Sequence, residues 1–68
     1  MKNNNIDKEQ LLSQLKAKYE TDTFKILYLY THSRFGSCVA CSEIINGEWD
    51  DGYYIQNNNR LIRVSRAR

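Results

Sequence analysis

The sequence has no long apolar run. No segment approaches the roughly 18 consecutive apolar residues of a membrane-spanning helix, and the first ten residues, MKNNNIDKEQ, lack the apolar centre of a secretory signal. We therefore expect a cytoplasmic protein with no membrane partner. There is also no internal repeat, and the only biased tracts are two short asparagine runs.

Cysteine and histidine are scarce. Cys38 and Cys41 have the C-x-x-C spacing of half a zinc site or of a redox pair, and His32 is the single histidine. A structural zinc site takes four ligands, and residues three apart on a strand point to opposite faces. We therefore predict two buried core thiols, no metal and no cofactor. A small zinc-binding or redox protein that uses Cys38, Cys41 and His32 is kept as an alternative.

Catalytic signatures are lacking as well. His32 stands beside Ser33, but no nucleophile motif surrounds the pair. Three carboxylates cluster late in the chain, namely Glu48, Asp50 and Asp51. They offer too few oxygen ligands at defined spacing for a calcium or magnesium site. We predict no catalytic residues and no enzyme activity.

Length is also limited, because 68 residues make one small domain. We assign residues 1–5 to a flexible N-terminus and residues 6–68 to a single domain. The hydrophobic content of 41% excludes a wholly disordered chain. A core of this size supplies only about 3–5 kcal/mol of stability, and small chains often gain the remainder from a metal, a disulfide, a dimer partner or a ligand.

The first ordered element is predicted to be a helix over residues 8–19. Asp7 followed by Gln10 has the form of a capping box. Leucines then recur on one helical face, at positions Leu11, Leu12 and Leu15. We expect this face to pack against a sheet.

Residues 24–31, FKILYLYT, are apolar on both alternating faces. Such a strand is typical of the inside of a sheet with both faces covered. Simple alternation places Leu27 and Leu29 on the side of the helix. It places four other residues on the opposite side, namely Phe24, Ile26, Tyr28 and Tyr30. The chain offers no second helix for that side, so we expect either a curled sheet or a partner to cover it.

The remainder is predicted as three further strands. Residues 37–45 form the second strand, and Asn46-Gly47 predicts a type I′ hairpin turn. The third begins at Glu48, is interrupted by a bulge or a second bend at Asp51-Gly52, and ends before a turn at residues 57–59. The fourth covers residues 60–65. The predicted fold is α+β, one N-terminal helix packed on a four-stranded antiparallel meander sheet, with curling toward a small barrel left open.

Arginine is concentrated at the end of the chain, at Arg60, Arg63, Arg66 and Arg68. Their spacing also allows a short helix, but the β-branched Ile62 and Val64 favour a strand. Arginines beside Tyr53 and Tyr54 would suit single-stranded DNA or RNA, since the cations neutralise phosphate and the rings stack on bases. Pairing of these arginines with Glu48, Asp50 and Asp51 would instead neutralise the patch.

Aromatic residues are numerous for so small a domain, with five Tyr, two Phe and one Trp. Tyrosine, tryptophan and arginine are enriched at interface hot spots. Our leading hypothesis is a binding module for a protein partner or a homodimer, typical of small regulators or inhibitors carried by phages or mobile elements. The predicted partner-binding residues are Trp49, Tyr28, Tyr30, Tyr53, Tyr54, Arg60, Arg63 and Arg66. Nucleic-acid binding through the arginines with Tyr53 and Tyr54 is the second hypothesis.

Overall fold

A computed structural model describes residues 4–67, which form one helix followed by four strands. The elements are α1 (Asn4–Tyr19), β1 (Phe24–His32), β2 (Gly36–Ile45), β3 (Glu48–Asn57) and β4 (Arg60–Arg66). The strands are antiparallel and lie in the order β1-β2-β3-β4. The predicted α+β meander is confirmed, and the sheet is open rather than closed into a barrel.

Helix α1 begins at Asn4, earlier than predicted, so Asp7 lies inside it and the predicted capping box is wrong. Residues 1–3, part of the segment predicted to be flexible, lie outside the described residues. Leu15 is buried, Leu12 is half-buried and Leu11 stays exposed. The helix therefore covers the sheet mainly through its second half.

Two of the three hairpin turns, at residues 46–47 and 58–59, follow from asparagine and glycine chemistry. Asn46 and Gly47 have φ values of 54° and 82°, and Asn58 and Asn59 have φ values of 54° and 63°. Positive φ at both central residues is the requirement of a type I′ turn, which matches the twist of the flanking strands. The turn at 58–59 leads directly into β4, so the strand prediction for the arginine-rich end is confirmed.

Strand β1 lies at the edge of the sheet, so the prediction that residues 24–31 lie inside it is wrong. The strand that is buried on both faces is β2, where every residue of Cys38–Ser42 is buried. Its side chains are small, and larger side chains from both neighbouring strands reach over them. Burial on two faces is therefore achieved by small residues flanked by large ones.

A β-bulge at Leu27 reverses the faces of β1. Ile26 pairs with Cys41 but Tyr28 pairs with Ala40, which leaves Leu27 as an extra residue. Leu29 consequently joins Ile26 on the helix side, and Leu27 is exposed. The predicted grouping of Leu27 with Leu29 is wrong, because the prediction assumed regular alternation along the whole strand and the bulge interrupts it at Leu27.

A second irregularity lies in β4 rather than in β3. Tyr53 pairs with Ser65 and Tyr54 pairs with Arg63, so Val64 is the extra residue. Gly52 pairs regularly with its neighbours on both sides, and the bulge predicted at Asp51-Gly52 is wrong. The core between α1 and the sheet consists of Leu15, Ile26, Val39, Cys41 and Tyr54.

Candidate binding face

The sheet has a covered side and an open side. Helix α1 packs on one side, and no element of residues 4–67 covers the other. The open side carries a cluster of rings, which we call the aromatic face: Tyr28, Tyr30, His32, Phe35 and Tyr53. Tyr28 and Tyr30 belong to the side for which the sequence predicts either curling or a partner, whereas Phe24 and Ile26, predicted on the same side, lie on the helix side.

The centre of the aromatic face is a stacked pair of tyrosines. The rings of Tyr30 and Tyr53 are 4.5 Å apart and inclined by only 8°. They belong to β1 and β3, which are separated by β2, so the rings meet above its small residues. Cys38 and Ala40 lie beneath them and are 9% and 1% exposed. The small side chains of β2 thus allow two non-adjacent strands to share one aromatic cluster.

The rings are ordered by each other yet remain accessible. Tyr28 packs edge-to-face on Tyr30 with centroids 6.4 Å apart, and His32 packs edge-to-face on Tyr53 at 5.5 Å. Tyr28 and Tyr30 are nevertheless 48% and 41% exposed. Burial within the cluster raises the pKa of Tyr53 to about 12. A preformed surface of this kind loses little side-chain entropy on binding.

His32 holds the end of this face. Its Nδ1 accepts hydrogen bonds from the backbone N–H groups of Arg34 and Phe35, at 2.9 and 3.3 Å. These bonds fix the loop between β1 and β2 and place the Phe35 ring 5.0 Å from the imidazole. The histidine that the sequence presents as a catalytic or metal candidate therefore orders a loop through one of its two nitrogens.

Trp49 lies on the same side of the sheet, away from the tyrosines. It opposes Ile44 near the start of β3 and is 50% exposed. Its exposure keeps it available as a contact residue, as its assignment to the partner-binding set requires. Sequence reasoning missed Phe35, whose place beside the cluster depends on the loop and gives no periodic signal.

The predicted arginine and tyrosine patch does not assemble. Tyr53 and Tyr54 lie on opposite faces, and Tyr54 is only 3% exposed in the core. Its prediction as a surface contact is wrong, because a buried ring cannot stack on a base or a partner. Arg60 is exposed at the start of β4, apart from the other two arginines of the predicted set.

Those two arginines pair with one carboxylate on the helix side. Arg63 and Arg66 each form an ion pair of 3.2 Å with Asp50. The hydrogen bond from Arg66, followed by the charges of both guanidinium groups, lowers the pKa of Asp50. The pairing proposed as the alternative is thus present in part, because one carboxylate serves both Arg63 and Arg66 while Glu48 and Asp51 form no ion pair within residues 4–67.

A hydrogen-bonded chain extends this pairing into the core. Tyr54 donates to Glu43 Oε1 at 2.5 Å and accepts from Arg63 Nε at 3.2 Å. Burial, and then the hydrogen bond to Glu43, raises the pKa of Tyr54 to about 12. Each polar group has a partner, so we interpret this network as structural.

The two cysteines lie on opposite faces of β2, as their spacing predicts. Cys41 belongs to the core and is fully buried, and burial raises the pKa of its thiol to about 12. Cys38 lies under the aromatic face, where burial raises its pKa. Within residues 4–67 no group of three or more histidine, cysteine or acidic side chains could hold a metal ion.

A concave cleft lies between α1 and the sheet. It has a volume of about 490 Å³ and apolar walls that include Leu11, Leu15, Leu29 and Val39. These walls are largely the core residues themselves, and the helix leaves them partly open. We therefore regard this cleft as the unfilled rim of the core and the aromatic face as the better candidate site.

No family model, curated protein or solved structure matched this chain. Function must therefore be inferred from its own residues and their geometry. In the part of the chain that the structure describes, α1 is too short and too polar to cross a bilayer.

Proposed function

We propose that this protein is a non-enzymatic binding module that binds a protein partner through its aromatic face. The observation that carries the proposal is the ordered, accessible ring cluster around Tyr30 and Tyr53 on a sheet side that the described chain leaves open. Tyrosine, with tryptophan and arginine, is enriched among the hot-spot residues of protein interfaces. Acting as a regulator or inhibitor would require no more than occupying such a partner.

Charge favours a protein over a nucleic acid as the partner. Arg63 and Arg66 are paired with Asp50 on the helix side and lie away from the exposed rings. Tyr54 is buried, so the stacking platform of the nucleic-acid hypothesis loses one of its two rings. Arg34 and Arg60 remain exposed near one end of the sheet and Lys25 near the other, so the cations available for phosphate neutralisation are few and dispersed.

Affinity capture tests the proposal. The tagged wild-type protein and a Tyr30→Ser variant are incubated with extract of the source cells, and the retained proteins are identified by mass spectrometry. We expect the wild type to retain a defined protein that Tyr30→Ser loses. Tyr28→Ser provides a second variant on the same face, in case Tyr30→Ser weakens the fold.

Lys16→Ser is the matched control, because Lys16 is exposed on α1 and lies outside the aromatic face. Circular dichroism verifies that each variant is folded. The proposal fails if the wild type retains nothing reproducible, or if the tyrosine variants retain the same proteins as Lys16→Ser. Tight binding of short single-stranded RNA or DNA that depends on Tyr30 would replace the protein partner with a nucleic acid.

A further inference from the structure

We infer that a second copy of this chain covers the aromatic face. The two copies are related by a two-fold axis that runs parallel to β2 and lies above it, midway between the two sheets. The inference rests on the proposed function and names its partner. It starts from a row of residues across three strands, in which Lys25 of β1 pairs with Ser42 of β2 and Ser42 pairs with Asp51 of β3. The row places opposite charges at equal distances on either side of β2.

Both charged residues belong to the open side. Ile26 and Cys41 are core residues on the helix side, so their neighbours Lys25 and Ser42 face the other way. Lys25 and Asp51 are exposed, and neither forms an ion pair within residues 4–67. Two strand spacings keep them about 10 Å apart, too far for a direct ion pair.

A two-fold axis along β2 brings these charges together between copies. Rotation about such an axis leaves each residue at the same height along the strands. It places β1 of one copy over β3 of the other. Lys25 of each copy then faces Asp51 of the other, and two equivalent ion pairs form at once. An isologous interface requires this self-complementarity, since one patch must serve as both partners.

The same two-fold rotation also brings aromatic residues of the two copies together. Tyr28, Ala40 and Tyr53 form the neighbouring row across the three strands. The axis places Tyr28 of one copy over Tyr53 of the other, with Tyr30 beside them in the next row of the open side. Two sheets that pack face to face lie about 10 Å apart, which is the depth that interlocking side chains of this size fill.

The size of the contact sets the expected affinity. Three strands about nine residues long span roughly 15 by 30 Å, so the two copies together bury on the order of 900 Å². Interfaces below about 1,200 Å² are typical of weak complexes, and we expect a dissociation constant in the micromolar range. The dimer is therefore expected to form reversibly as concentration rises.

Analytical ultracentrifugation of charge-swapped variants tests the arrangement. The wild type, Lys25→Asp, Asp51→Lys and the double variant Lys25→Asp/Asp51→Lys are compared over a range of concentrations. Each single change sets like charges against each other and should weaken dimerisation about tenfold or more. The double change reverses both members of each pair and should restore the wild-type dissociation constant to within about threefold.

Lys16→Asp is the control for net charge, because it makes the same chemical change on the exposed surface of α1. Trp49 supplies an independent signal, since its emission should shift to shorter wavelength as the dimer covers that side of β3. A double variant that stays as weak as the singles overturns the inference, as does a Lys16→Asp effect equal to that of Lys25→Asp.

A wild type that stays monomeric at every concentration also overturns it. The proposed function survives that result if Tyr30-dependent capture still recovers another protein. Failure of both experiments removes the proposed function as well, so the two outcomes remain distinguishable.

Discussion

The guanidinium group of Arg63 lies directly over Gly52. A Cβ atom at position 52 would come within 2.7 Å of Arg63 Cζ. Glycine suits this position because Arg63 occupies the space that a Cβ atom would need. The backbone does not demand it, since Gly52 does not have a positive φ. The contact holds Arg63 in place to reach Asp50.

We expect Gly52→Ala to displace Arg63 without unfolding the protein. The side chain of Arg63 is flexible, and alanine suits a strand better than glycine by roughly 0.5–1 kcal/mol, which offsets part of the lost pairing. The pKa of Asp50 should rise part of the way toward its ordinary value, because the hydrogen bond from Arg66 remains while the charge of Arg63 moves away, and NMR titration of the carboxyl group measures this rise. In an Arg63→Ala background, Gly52→Ala should leave that pKa unchanged, and a shift there would contradict the explanation.

Ala40→Leu should disrupt the stacked tyrosines. Ala40 is almost completely buried beneath the cluster, so a larger side chain forces the rings of Tyr30 and Tyr53 apart. We expect a loss of about 1–3 kcal/mol in the free energy of unfolding, measured with chemical denaturant. Ala17→Leu is the matched control on the exposed surface of α1, where the change should stay within about 0.5 kcal/mol. Equal effects at both positions would refute the stacking argument.

Alkaline pH should destabilise the fold through Tyr54. Its pKa is raised from 10.0 to about 12 in the folded protein, so the fold favours the neutral phenol. The corresponding stability is fully present below pH 10 and is lost as pH rises toward 12. Denaturant unfolding of the wild type should therefore weaken across this interval, and Tyr54→Phe should weaken less steeply. A Tyr54→Phe slope as steep as that of the wild type would rule out this assignment.

The two thiols should differ in reactivity. Cys41 is fully buried with a pKa of about 12, and thiol reagents attack the thiolate, so it should not react before unfolding. Cys38 lies under Tyr30, and Tyr30→Ser should accelerate its modification selectively. Reaction with Ellman's reagent and mass spectrometry of the peptides measure both rates, with denatured protein as the reference. Rapid modification of Cys41 in the native protein would contradict its place in the core.

The turns and the order of the elements could be predicted because their causes are local. Asn46-Gly47 and the asparagines at 58 and 59 adopt positive φ readily, and these two turns together with the loop at residues 33–35 connect four strand-like segments into a meander. The helix was predictable from its leucine spacing. Only its start was wrong, because the Asp7 and Gln10 pattern lies inside α1.

The faces of the strands could not be predicted in the same way. In β1 nearly every position is apolar, so no polar residue marks where alternation breaks, and the bulge at Leu27 leaves no signal. In β3 the neighbours Tyr53 and Tyr54 are chemically identical, and only the register decides which one enters the core. The stack of Tyr30 on Tyr53 depends on both outcomes, and so does the composition of the binding face.

Leu27, the extra residue of the β1 bulge, is a position on which little of the fold depends. Its side chain is exposed and contributes little to the core, so many substitutions at this position should be tolerated. Deletion of the residue should also be tolerated, because the ladder already pairs Ile26 with Cys41 and Tyr28 with Ala40 as though Leu27 were absent, so Leu29 would stay in the core and Tyr30 on the aromatic face. Position 27 is thus free to vary in side chain and also to be lost, and a relative lacking that single residue would keep the same aromatic face on a β1 strand without a bulge.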